Sequence, residues 1–220
     1  MNKKLIALVL ILIIIIILLT LFIREKIIYF NGNLEKNNIM SKEEIKQLLD
    51  KGENYENYYY SPTQNPQTTN EEIKTEYYIK NGIVATYINS QLIQWVNYNT
   101  GEIISLIHNN NQNTFSSSNN VKRIQNNQNG VDYSEIIDNK YKYKYLGKKI
   151  FQDRKAIYIE LRKDDIVKQF VIDEKSGLIL ESKIGIKKFG LITVSLIRNK
   201  ENIKFDIVSD ENVKKPNLNN

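Results

Sequence analysis

The chain has no cysteine and a single histidine, His108, among its 220 residues. Without thiols there is no disulfide framework, no thiolate nucleophile and no cysteine to carry a lipid. The lone histidine stands in an Asn-rich stretch, so neither a Cys-His pair nor a well-placed Ser-His pair is apparent, and hydrolysis by those routes is set aside. Charge of one sign is scarce as well. The net charge is +6, and Lys3, Lys4, Arg24 and Lys26, offset by Glu25, carry half of it. What is left is too small and too dispersed for nucleic acid, but it suits anionic lipid headgroups or acidic wall polymers. A calcium-wrapping Asp-x-Asp-x-Asp-Gly loop is missing. Asp164-Asp165 and Asp173-Glu174 lie close to turns and read as solvated hairpin ends. No pair of carboxylates is singled out for glycoside chemistry. No catalytic residue, metal or cofactor is expected.

What the sequence does have is a long apolar run. Leu5 to Ile23, interrupted only by Thr20, lies between Lys3-Lys4 and Arg24-Glu25-Lys26. At roughly 1.5 Å per residue a helix of this length comes close to the roughly 30 Å hydrocarbon core of a bilayer. Leu5, Leu12, Leu19 and Ile23 are its anchor positions. A cleaved secretory signal is the competing reading. The run is longer than a typical signal core and ends Leu19-Thr20-Leu21-Phe22-Ile23-Arg24 with no small-x-small site, which favours an uncleaved anchor. Both readings export the remainder. Lys3 and Lys4 argue for an inside N-terminus, while Arg24 and Lys26 oppose them, so the positive-inside rule gives a modest bias only.

The expected organisation is a cytoplasmic stub and anchor over 1–26, a juxtamembrane linker over 27–40, one domain over 41–210 and a polar tail over 211–220. Without disulfides, the domain must be stabilised by burial of Ile, Val, Leu, Phe and Tyr. Ser41-Lys42-Glu43-Glu44 is a capping box, after which Ile45, Leu48 and Leu49 fall on one helical face and Gly52 ends the helix. From Tyr55 the period changes to two. Ile73, Thr75, Tyr77 and Ile79 alternate with Lys74, Glu76, Tyr78 and Lys80, and Asn81-Gly82 is a strong hairpin signal. Return strands at 83–88, 92–98 and 102–107 complete a meander. Residues 108–130 are Asn- and Ser-rich and read as a mobile loop. A short helix at 131–138 bears Val131, Ile136 and Ile137. The strand pattern then resumes, with Tyr141, Tyr143 and Tyr145 opposite Lys142 and Lys144, and continues through strands at 157–161, 166–172, 178–183, 191–198 and 203–208. The fold class is α+β: a transmembrane helix, then a curled antiparallel sheet covered by short helices as an open half-barrel.

Tyrosine is the conspicuous excess, with 14 in the chain. Most suit cross-strand packing on half-buried faces, where the ring is covered and the hydroxyl stays wet. The functional alternative is a partner surface, since Tyr is enriched at interfaces; Tyr55, Tyr58, Tyr60, Tyr141 and Tyr143 are the candidates. The 55–60 strand is expected at a sheet edge on this reading. Trp95 is either core or rim.

Tyr145-Leu146-Gly147-Lys148-Lys149, then Asp153 to Leu161, then Phe170-Val171-Ile172-Asp173-Glu174-Lys175-Ser176-Gly177-Leu178-Ile179-Leu180 resemble the C-terminal half of LolA-like proteins. In that family a glycine and an "R-x-A-Y-x-I" strand precede a strand ending "D-x-x-T/S-G-L". The block from Tyr77 to Ile107, with Trp95 and Thr100-Gly101-Glu102, is similar to the family's early meander. The likeness covers about residues 41–208, rests on hairpin-turn chemistry, and within the family is greatest to the GerS-like clostridial spore-germination lipoproteins. The resemblance implies a many-stranded half-barrel closed by helices, and non-enzymatic work. Family members carry or sense lipid or lipoproteins in the concave face, whereas GerS-like members partner an N-acetylmuramoyl-L-alanine amidase that modifies spore-cortex peptidoglycan. This chain departs from the GerS-like pattern in lacking the lipobox cysteine; the apolar run stands in its place. No contact residue is carried over from the family. The expected protein is a single-pass membrane protein whose domain is extracytoplasmic, on the mother-cell or forespore membrane, supporting such an amidase; the alternative is a lipid or lipoprotein carrier or sensor.

Overall fold

The computed structural model describes residues 11–18, 34, 38–62, 73–109, 112–125, 127–128, 131–188 and 191–218. Residues 11–18 are helical, and Leu12 there is 55% exposed. Leu5, Leu19 and Ile23 lie outside the described residues, as does most of the expected linker. Among the described residues no helix is long and apolar enough to cross a membrane.

Helix α1 (Lys42–Glu53) starts as its sequence requires. Glu44 N donates to Ser41 Oγ at 3.2 Å and Ser41 N to Glu44 Oε2 at 2.7 Å, closing the capping box. Its apolar face buries Ile45 and Leu49. The strands that follow are β1 (Asn57–Ser61), β2 (Thr75–Lys80), β3 (Ile83–Ile88), β4 (Gln91–Asn97), β5 (Glu102–Asn109), β6 (Gln112–Asn119), β7 (Asn127–Gln128) and β8 (Val131–Asp132). After helix α2 (Ser134–Ile137) come β9 (Lys142–Phe151), β10 (Arg154–Lys163), β11 (Ile166–Asp173), β12 (Ile179–Lys188), β13 (Leu191–Asn199) and β14 (Glu201–Phe205), and a 3-10 turn spans Glu211–Val213.

All pairing among the described residues is antiparallel: a seven-stranded sheet ordered β14-β1-β2-β3-β4-β5-β6, a five-stranded sheet ordered β13-β12-β11-β10-β9, and the short pair β7-β8. The seven- and five-stranded sheets share one connecting segment. The two are one bent ribbon. Only Lys200 separates β13 from β14; its N–H donates to Leu180 O at 2.7 Å, beside the Glu181↔Asn199 pair, while Glu201 pairs with Ser61. One chain segment thus ends the first sheet and begins the second, a corner made by a strand that switches sheets. The expected curled sheet is present, with its corner at Lys200 and its ends at β9 and β6.

The five-stranded half packs Ile157, Ile159, Leu161, Phe170, Ile172 and Ile179 against Ile45, Leu49 and Ile136 of the two helices. The seven-stranded half is aromatic. Its two faces hold Tyr58, Tyr60 and Ile79 with Leu178 on one side, and Tyr59, Ala85, Trp95 and Ile104 on the other. The second face is covered by a C-terminal strap that contributes Val208 and Val213. Trp95 is core, 3% exposed, and its Nε1 donates to Val213 O at 2.8 Å. Tyr87 OH donates to Asn212 O, and Lys215 pairs with Glu102.

Four expectations are corrected. The 108–130 segment contains β6, which pairs with β5 from Glu102↔Asn119 to Asn109↔Gln112, so backbone pairing overrides a polar composition. The expected polar tail, 211–220, is not polar and exposed throughout, since Val213 is buried against the seven-stranded sheet. Asp173 is buried, not solvated: it accepts from Arg154 Nε at 2.5 Å and from Ser176 N and Oγ at 2.6 and 2.7 Å. Finally β1 is no edge strand, because β14 and β2 flank it.

Candidate functional site

Helix α1 is docked by a contact only glycine permits. A methyl group on Gly52 would overlap the Gly177 carbonyl, and one on Gly177, at φ +78°, would overlap the Leu48 carbonyl. Gly52 therefore does not stop the helix; the helix runs on to Glu53 with Asn54 as C-cap, and Gly52 is where it meets the β11–β12 turn. Gln128 fastens the joint. Its Nε2 donates to Leu49 O at 2.9 Å and Gly177 O at 3.0 Å, and its Oε1 accepts from Ile179 N at 2.7 Å. One buried amide thereby ties together helix, turn and β12. Nothing in the local sequence marks Gln128, which sits in the stretch read as a loop; only the need to satisfy three backbone groups explains it.

Beside this joint lies a cavity of about 280 Å³, just under the roughly 300–1,000 Å³ of small-molecule sites. Tyr58, Ile79 and Val84 of the seven-stranded sheet line it, with Tyr98, the α1 end at Gly52-Glu53, and Val121 to Ile124 across it. Arg123 donates to Glu53 O, and Tyr133 OH to the Glu53 carboxylate, so the crossing segment and α1 are joined. Burial first, then the Glu53 carboxylate, pushes the Tyr133 hydroxyl far above its ordinary pKa and keeps it a donor. The cavity lining is mixed, with Tyr58, Ile79, Val84 and Ile124 beside Glu53, Lys122, Arg123 and Gln128.

Most of the candidate tyrosines take the cross-strand packing role. Tyr58 and Tyr60 are 4% and 5% exposed. Tyr60 stacks on Tyr77 with ring centroids 4.7 Å apart, and Lys200 Nζ lies 5.7 Å from its centroid. These two rings are interior. Tyr58 reaches only the cavity, so neither can serve as an outward docking group. Tyr55 is half-buried edge-on against Phe205, with centroids 5.0 Å apart, and its hydroxyl faces Asp206. Tyr141 and Tyr143 pack on the five-stranded core. Tyr141 OH donates to Glu135 and Tyr143 OH to Met40 O. Burial raises the Tyr143 hydroxyl well above its ordinary pKa. The structure therefore does not bring the five together into one surface.

Lys200, at the corner, is buried with its Nζ donating to Ile179 O at 2.6 Å. Burial lowers its pKa to about 7. Among the described residues no cluster of His, Cys, Asp and Glu is placed to hold a metal ion.

No family model matches the chain, and no curated protein sequence matches it. Solved structures do. MucB shares 10% identity over 80% of this chain and 63% of its own, with a TM-score of 0.47. A LolA superfamily protein from Nitrosomonas europaea shares 10% identity over 78% of this chain and 97% of its own, at 0.31. PNGF-II shares 10% over 73% of this chain and 30% of its own, at 0.35. The chain thus spans less than two thirds of MucB and under a third of PNGF-II. At these scores none of the likenesses carries a conclusion about activity.

Proposed function

We propose that the protein is a membrane-tethered, extracytoplasmic binding module of LolA-like form that docks a cell-wall amidase of the spore cortex and performs no chemistry itself. The observation that carries this reading is the open ribbon: a sheet bent at Lys200 and filled by helices on one half and a strap on the other, with β9 and β6 left at its ends as preformed edges. Edge strands present unpaired backbone groups and are ready templates for a protein partner. The GerS-like sequence pattern supports an N-acetylmuramoyl-L-alanine amidase as that partner. The apolar run from Leu5 to Ile23 supports a single span that holds the domain beside the membrane. The test is co-expression of the full chain with such an amidase from the same organism. Co-elution as a defined complex, and a changed cortex muropeptide profile when the gene is deleted, are the expected results. Separate elution with an unchanged profile overturns the reading.

A second reading, a lipid or lipoprotein carrier or sensor, is favoured by the cavity at Tyr58, Ile79 and Val84, whose lining also includes Lys122 and Arg123. Native mass spectrometry of detergent-extracted protein separates the two: a retained lipid mass supports the carrier, and a bare chain removes it.

A further inference from the structure

The two ends of the ribbon differ in charge, and the difference selects a partner. Among the described residues, strand β9 (Lys142–Phe151) pairs with β10 alone. It carries Lys142, Lys144, Lys148 and Lys149 and no acid. The register sets Lys142 opposite Arg162, Lys144 opposite Glu160 and Lys149 opposite Ala156. An irregularity between Tyr158 and Ile159 lets Leu146 stand as an extra residue, followed by Gly147 at φ +138°. The bulge restores the parity that would otherwise turn Lys149 inward. Lys142, Lys144 and Lys149 therefore share the outward face, while Tyr143 and Tyr145 sit on the core face.

None of these three lysines has an ion-pair partner among the described residues. The nearest acid on that face is already used: Glu160 is buried and accepts from Arg162 Nε at 2.5 Å and Gln169 Nε2 at 3.0 Å. Lys148, on the other face, is paired with Glu174. The strand is also held rigid from behind, by Tyr143 OH on Met40 O at 2.9 Å and by the neighbouring Tyr141 OH on Glu135 at 3.0 Å. One lysine is enough to blunt an edge against a second copy. Lys142 and Lys144 stand at successive positions on this face and Lys149 one position beyond Gly147, a row that repels basic strands and offers an acidic one three counter-charges. At the other end of the ribbon, Thr114 to Asn119 of β6 carry no charge at all.

We infer that β9 is a docking edge for an acidic, extended protein segment, which adds as a further strand and sets carboxylates beside Lys142, Lys144 and Lys149. This deepens the partner-binding reading and rests on it. Backbone pairing supplies the affinity and the lysines the choice of partner.

The test uses the full chain in nanodiscs and a fluorescent ten-residue peptide alternating Glu and Thr. The expected result is saturable binding, with slowed amide exchange confined to β9. Binding should weaken roughly tenfold in K142E/K144E/K149E and be retained in K142R/K144R/K149R. An unchanged helix signal and unchanged amide-exchange protection of β10 and β11 show that the half carrying β9 is folded in the variants. Equal binding of a peptide N-methylated at alternate residues, or of polyphosphate with the same protection pattern, overturns the inference in favour of a general anion surface. Absence of peptide binding overturns it outright. If the amidase co-elutes equally with wild type and K142E/K144E/K149E, the partner reading stands and β9 is not its surface. If the peptide binds β9 and no amidase co-elutes, the edge stands and the amidase reading falls.

Discussion

The two halves of the ribbon solve the same burial problem with different materials. The five-stranded half is aliphatic and lidded by helices, with Ile157, Ile159, Leu161 and Ile172 beneath Ile45, Leu49 and Ile136. The seven-stranded half uses rings, Tyr58, Tyr59, Tyr60, Tyr77, Tyr78, Tyr87 and Trp95, and its outer face is closed by an irregular strap. A helix lid brings its own hydrogen-bonded backbone. A strap does not, and must be tied by side chains such as Trp95 and Tyr87, which donate to its carbonyls. This is a physical reason for so many tyrosines: a ring buries area while its hydroxyl satisfies or reaches a polar group. The surplus that suggested an interface is largely a way of building a sheet with little regular cover.

If the halves are distinct in this sense, they should break separately. The largest effect is expected from Gly177→Ala, which adds overpacking against the Leu48 carbonyl to the cost of a left-handed alanine, about 4 kcal/mol in all. It should show as loss of helix signal and of the aliphatic half's exchange protection before Trp95 fluorescence changes. Gln128→Leu removes three buried hydrogen bonds and orphans the Ile179 N–H. A loss of about 3 kcal/mol is expected in urea unfolding, with the cavity mouth loosened. Lys200→Met tests the corner. The amine's folded pKa, about 7, lies below its ordinary 10.5, so between those values the unfolded chain binds more protons and stability rises with pH. Below about pH 7 the penalty of burying the charge is fully present. Wild type should gain stability from pH 7 to 9 and the methionine variant should not; parallel profiles would show that Lys200 is solvated. Trp95→Phe keeps most of the ring but leaves Val213 O without its donor. About 1 kcal/mol should be lost, read as faster amide exchange across β3 to β5 with the five-stranded half unmoved.

Much of this architecture was legible where local chemistry decides it. The Ser41–Glu44 capping box, the Asn81-Gly82 turn and the alternation of β2 and β9 are short-range signals, and the structure realises them. The failures have one cause, pairing across distance. Strand β6 owes its existence to β5 and not to Ser116, Ser117 or Ser118. In β1, Tyr58, Tyr59 and Tyr60 are all buried because both faces of the sheet are covered, which erases the alternation that would separate inside from outside. Gly52 looked like a helix stop because the glycine's true neighbour, Gly177, is remote in sequence. Of the candidate surface, the lysines opposite Tyr143 were visible as an alternating pattern. That their strand ends the ribbon was not.

The strap has a consequence for how the chain is made. Trp95 waits for Val213, 118 residues further on. Asn57 in β1 waits for Val208, 151 residues on, and Lys51 at the end of α1 for the Lys175 carbonyl, 124 residues on. A polypeptide threaded outward from its N-terminus would deliver its first helix and strand long before their partners emerge. The tyrosine-rich meander would stand open through nearly the whole of synthesis. Such long closures slow folding and prolong exposure of sticky surface, and the aromatic sheet is covered only once Val208 and Val213 have been made.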